Sequence, residues 1–246
     1  MARLCRVAAE VRVTRIARAL VALLACLGPF AHAEPDLPSY KDEVVIAAWT
    51  DVDAAITASC DWPEGSDGVG VPIHCDADHL RAVIAGAQSF ERTVVPDGRI
   101  RYLIGLAHRH LGEVDAAEAA FREALKLAPN RAEAWFDLGE LLAGKRDWDG
   151  ARDAFTHVTT LVPSGPRSWP GWLQLAQADA QKQDAVAFEA HLRNALRYGM
   201  NIQVIAGDAA WKGFLADPVI GTTVERMITV YGGPEILASL KGDGAP

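Results

Sequence analysis

GRIRYLIGLAHRHLGEVDAAEAAFREALKLAPNR (residues 98–131) is followed directly by AEAWFDLGELLAGKRDWDGARDAFTHVTTLVPSG (residues 132–165), and the two stretches carry the same residue types in the same order. Gly105 recurs as Gly139, Ala117 as Ala151, Phe121 as Phe155 and Pro129 as Pro163, each pair 34 residues apart. The apolar positions between them keep the register, as in Ile104 with Leu138 and Leu127 with Leu161. A period of this length marks a repeat array, whose units cannot bury an apolar face alone and stack on their neighbours.

Within each unit the apolar residues fall at helical spacing. The first reads as two antiparallel helices, roughly Arg99 to Leu111 and Asp115 to Leu127, turning at Gly112. Asp115 and Glu118 have the spacing of a capping pair, and Pro129 ends the unit by forcing the residue before it out of helical geometry. The second unit repeats this from Glu133 to Gly144 and from Asp149 to Val162.

These residues resemble the tetratricopeptide repeat. The resemblance implies an all-α fold, a right-handed solenoid of helical hairpins with a C-terminal capping helix. It also implies that small residues stand where the helices of a unit touch, Gly105 against Ala117 and Gly139 against Ala151, with Phe121 and Phe155 filling the gap behind. A degenerate third unit is expected over 169–198, with Trp172, Leu175 and Ala176 in its first helix and Phe188, Leu192 and Ala195 in its second. There the linker Pro163-Ser164-Gly165-Pro166 displaces the register by three residues, and Phe188 stands where the family usually has alanine. Residues 199–240, with Asp208, Trp211, Phe214 and Asp217-Pro218, resemble the segment that closes bacterial arrays of this kind, and 241–246 is expected to be a disordered tail.

Ahead of the array, residues 34–97 carry Val45, Trp49, Val52 and Ile56, then Leu80, Ile84 and Ala87, all at helical spacing. This reads as a helical pair, joined by a loop from Asp61 to Asp76 with Cys60 and Cys75 at its borders. The first 33 residues have the layout of a cleaved signal peptide: Arg3, Arg6, Arg12, Arg15 and Arg18, an apolar stretch from Ala19 to Leu27, and Ala31-His32-Ala33 before Glu34. Cleavage is expected after Ala33, giving a periplasmic or secreted protein. The alternative, a lipobox at Leu23-Leu24-Ala25-Cys26, fits less well because the residues after Cys26 stay apolar and lead to a better cleavage site.

The chain carries a net charge of −8. Cleavage would remove five arginines and Glu10, leaving 19 basic against 31 acidic residues and a net charge of −12. An acidic protein has little to offer a phosphate backbone or an anionic membrane, so nucleic acid is not an expected partner. No segment of the expected mature chain is long and apolar enough to span a bilayer. In an exported protein the remaining even pair, Cys60 and Cys75, reads as a disulfide, stabilising by about 3 kcal/mol if its geometry is relaxed.

Cys60, His74, Cys75 and His79 have the residue types of a zinc site, but Cys60 has no partner two to four residues away. A cysteine nucleophile activated by His74 or His79 lacks any visible oxyanion loop. His108 and His110 point to different faces of a helix, and the loop acids lack calcium-loop spacing. With no phosphate loop, serine elbow or His-Glu-x-x-His helix, no catalytic residue, metal or cofactor is expected.

The resemblance implies instead that the first helices of successive units line a concave groove. Its residues would be Tyr102, Leu106 and Arg109, then Glu133, Phe136 and Glu140, then Leu173 and Gln177, with Tyr102 and Phe136 as anchors. Glu133 and Glu140 work against the basic carboxylate clamp of chaperone-binding relatives and favour an apolar, partly basic peptide or protein surface. The rival reading is an enzyme or metal-dependent protein that uses the Cys60–His79 loop, with the repeats as a docking arm.

Overall fold

The computed structural model describes residues 40–66, 71–205 and 208–242; the signal sequence with Ala33, the Cys26 alternative and residues 243–246 lie outside them. The chain divides into two units, Met1–Lys41 and Asp42–Pro246, and since only Tyr40 and Lys41 of the first are described, the account below concerns the second.

The two quoted stretches form helical hairpins: α3 (Gly98–His110) with α4 (Val114–Leu127), and α5 (Ala132–Gly144) with α6 (Trp148–Leu161). A third hairpin follows as α7 (Trp169–Gln181) and α8 (Ala185–Arg197). Before them come α1 (Tyr40–Ala58) and α2 (Ala77–Thr93), and between these a two-residue antiparallel ladder pairs Cys60 with Cys75 and Asp61 with His74. The two cysteines are bonded to each other.

Aspartates cap four of these helices, α2, α3, α6 and α8. Asp97 accepts from Arg99 N at 2.8 Å, Asp147 from Gly150 N at 3.0 Å and Asp184 from Ala187 N at 3.0 Å, each satisfying an amide that the helix leaves unpaired. The capping pair expected at Asp115 and Glu118 does not form. The helix begins one residue earlier, behind Glu113, and both carboxylates instead reach Lys145 Nζ in the next hairpin, at 2.9 and 2.8 Å. The same bridge recurs between Asp149 and Lys182, shifted by the three inserted linker residues. Trp135 Nε1 donates to Pro129 O and Trp172 Nε1 to Pro163 O, so each linker is pinned by the tryptophan that follows it.

Close approach within the first two hairpins depends on glycine, and its nearest partner is the phenylalanine ring. A Cβ on Gly105 would stand 2.5 Å from Phe121 Cδ1, and one on Gly139 2.6 Å from Phe155 Cε1. The nearest neighbour of each glycine is therefore the phenylalanine ring, with Ala117 and Ala151 fully buried in the same hairpins. In the third hairpin the counterparts are Ala176 and Leu192, and the aromatic bulk moves one turn back to Phe188; all three are fully buried in one cluster. Side-chain volume is redistributed between neighbouring turns while all three positions stay buried.

After α8 the chain makes a 3-10 turn (Ile202–Ile205) and three helices, α9 (Ala209–Ala216), α10 (Gly221–Tyr231) and α11 (Pro234–Lys241). Trp211, Ile220, Val224 and Ile228 from this segment join Phe188 and Leu192 in the last of three apolar clusters that succeed one another along the array. The segment thus supplies the apolar neighbour that an exposed final hairpin would lack.

Candidate partner-binding face

The first helices of the first two hairpins are tied together through their outward side chains. Tyr102 on α3 donates its hydroxyl to Asp137 Oδ2 on α5 at 2.7 Å. Arg109, two turns along α3, donates one guanidinium nitrogen to Asp137 Oδ1 and another to Glu140 Oε2 at 2.8 Å. Arg131, the residue before α5, lays its guanidinium 5.0 Å from the centre of the Tyr102 ring, within cation–π range.

Partial desolvation sets the charge states. Burial raises the Asp137 carboxyl above its ordinary value, against the hydrogen bond from Tyr102 and the charge of Arg109. Burial also raises the Tyr102 phenol far above its ordinary value, with the Asp137 charge adding to it, so the hydroxyl stays a donor. Burial works to lower Arg109, but Asp137 and Glu140 outweigh it and its pKa rises. Three carboxylates, Glu133, Asp137 and Glu140, share this face with two guanidiniums, Arg109 and Arg131.

Of the expected groove residues, Glu133 is exposed, while Tyr102, Leu106, Arg109, Phe136, Glu140 and Gln177 are half-buried. The two expected anchors are partly committed inward: Tyr102 leans on Phe121 with ring centroids 5.9 Å apart, and Phe136 on Phe155 at 5.8 Å. Leu173 is placed differently. It is only 7 % exposed and packs in the cluster of Phe188, Trp211 and Phe214, because the C-terminal segment closes against α7. Gln177 donates to Asp208 Oδ2, the N-cap of α9, at 3.2 Å.

Asp137, the hub of the network, was not among the expected residues. Its signal was present, since it lies four residues after Glu133 and three before Glu140 and so shares their helix face. Gln174 and Gln181 were also missed. With Gln177 they line a hollow of about 120 Å³ beside α7, together with Trp148, Phe155, Ala178 and Phe214.

A second polar cluster ties α6, α7 and α8 together. Asp179 is fully buried; His191 Nδ1 lies 2.6 Å from its Oδ2, and Arg152 Nε lies 2.8 Å from its Oδ1, close enough for an ion pair though off the angle of a hydrogen bond. In the segment between α1 and α2, Cys60 and Cys75 are paired across the short antiparallel ladder.

Stacked helical hairpins with a continuous outward side-chain network define a helical repeat scaffold. Residues 80–132 and 102–166 match the model of the tetratricopeptide repeat, so this stretch of the chain is an array of tetratricopeptide repeats. The first match begins inside α2, so that helix is part of the matched array. Among solved structures the chain is similar to MamA (41-end) from Desulfovibrio magneticus RS-1, with a TM-score of 0.52 and 16% identity over 68% of this chain and 89% of that one. A MamA RS-1 double mutant gives a TM-score of 0.52 and 17% identity over the same shares. At such identities the likeness is one of fold. No curated protein matches the chain in sequence. The repeats make the protein a protein–protein interaction scaffold, and among the described residues no helix is long and apolar enough to cross a membrane.

Proposed function

We propose that the protein is a non-catalytic adaptor of the bacterial cell envelope or periplasm that holds a peptide or protein segment along the concave face of its repeats. The observation that carries this reading is the network of Tyr102, Arg109, Asp137 and Glu140, which fixes a partly desolvated polar surface across two units. Such preorganised donors and acceptors lose little entropy when a partner docks. The excess of carboxylates over guanidiniums on this face favours a segment with apolar and basic residues. Export is supported by the arginine-led leader ending at Ala33 and by the pairing of Cys60 with Cys75, since a reducing cytosol would keep both as thiols.

Expressed in a bacterial host, the chain is expected in the periplasmic fraction, beginning at Glu34, with an intact mass two hydrogens below that of the dithiol. Partners captured from that compartment by the native protein should be mostly lost with a Glu133→Lys, Glu140→Lys double variant, whose changes lie outside the core. A mass that retains residues 1–33 would remove the export reading. Identical partner sets from both proteins would remove the groove reading.

A further inference from the structure

The groove changes character where it reaches α7. Around the Tyr102–Glu140 network it is charged, whereas the residues lining the hollow on α7 are all uncharged. Gln174, Gln177 and Gln181 recur at helical spacing on one face, and the apolar Phe155 and Ala178 line the same hollow. Gln177 is held by Asp208, but Gln174 and Gln181 have no protein hydrogen-bond partner among the described residues. Each carries a carbonyl acceptor and two N–H donors, the complement of a polypeptide main chain.

The size of the hollow narrows what can enter it. About 120 Å³ is less than the ~150 Å³ that admits a benzene ring and about four times the volume share of one water. An aliphatic side chain of valine size fits this volume better than an aromatic ring. A charged group would meet no countercharge in the lining and would lose its hydration on entry.

We propose, resting on the groove reading above, that this hollow is a specificity subsite for an extended partner segment. Gln174 and Gln181 hydrogen-bond the partner's main chain, and one small aliphatic side chain enters between Trp148 and Phe214. Selection therefore occurs at one uncharged aliphatic position, and the carboxylates of α5 attract the basic residues beside it.

The test uses a displayed pool of random twelve-residue peptides selected on the purified mature chain and on three variants. Ala210→Leu plugs the hollow from an exposed position on its rim, Gln174→Glu places a charge in it, and Glu133→Lys alters only the neighbouring charged face. Unchanged melting curves certify the fold of each. The native chain is expected to enrich peptides with alanine or valine at one fixed position beside basic residues. Ala210→Leu and Gln174→Glu should weaken binding of a synthesised winner about tenfold, the scale of a lost interface anchor, and erase the aliphatic preference. Glu133→Lys should weaken binding while keeping that preference. Enrichment of aromatic or charged residues at that position, or a preference that survives Ala210→Leu, overturns the subsite and leaves the groove reading standing if Glu133→Lys still weakens binding. No enrichment by the native chain, or binding indifferent to all three variants, overturns both.

Discussion

Gly112, Arg146 and Gln183 occupy equivalent turns of the three hairpins, and all adopt left-handed backbone, with φ of 71°, 62° and 57°. Only glycine does so without a Cβ clash, which costs other residues about 1–2 kcal/mol. Gly112→Ala is expected to lower stability by about 1 kcal/mol. Arg146→Gly and Gln183→Gly should each leave it unchanged or raise it by up to about 1 kcal/mol, because the relieved strain is partly offset by the greater freedom of glycine in the unfolded chain. Urea midpoints at constant slope would measure this, and equal losses from all three substitutions would refute it. The same scale explains why Gly105 could be read as a contact point while its nearest partner could not. Sequence marks where bulk is missing, but whether Ala117 or Phe121 fills the space depends on how far the second helix is rotated.

At the scale of the element, the first two hairpins were legible because their period is unbroken, and Asp137 could have been found from its place between Glu133 and Glu140. Leu173 could not, since it is buried in a cluster whose Trp211 and Phe214 lie about forty positions later in a segment outside the period. Two carboxylates that join neighbouring elements should respond to pH with opposite signs. Asp137, linking α3 to α5, has its pKa raised by burial, so its contribution to stability is fully present below its unfolded value of 3.8 and is lost as pH rises through the higher folded value. Glu118, linking α4 to Lys145, has its pKa lowered by the hydrogen bond from that lysine; its contribution is present above 4.5 and is lost as pH falls through the lower folded value. Asp137→Asn should therefore look better relative to the native protein at pH 7 than at pH 3, and Glu118→Gln worse. Denaturant midpoints at the two pH values decide it, and shifts of the same sign would show that another group dominates.

For the whole molecule, the apolar clusters follow one another, so each hairpin depends most on its immediate neighbours. The last cluster is shared between α7 and α8 on one side and the closing segment on the other, with Phe188 against Trp211 at a ring distance of 5.9 Å. A chain ending at Tyr198 would expose Leu173, Phe188 and Leu192 to water, and burial of a large aliphatic or aromatic side chain contributes about 1.5–3 kcal/mol. The middle cluster, centred on Phe121, Leu138 and Phe155, contains no residue of the closing segment. Amide exchange on the shortened chain should accordingly show α7 and α8 losing protection while α3 to α6 keep most of theirs, because the loss propagates only through the interface of α6 with α7. That interface holds Asp179 between Arg152 and His191, an ion cluster that resists opening when one side is intact but cannot compensate for an uncovered apolar face. Uniform loss along all six helices would mean that the array folds as one cooperative block, and uniform retention would mean that the third hairpin needs no cover.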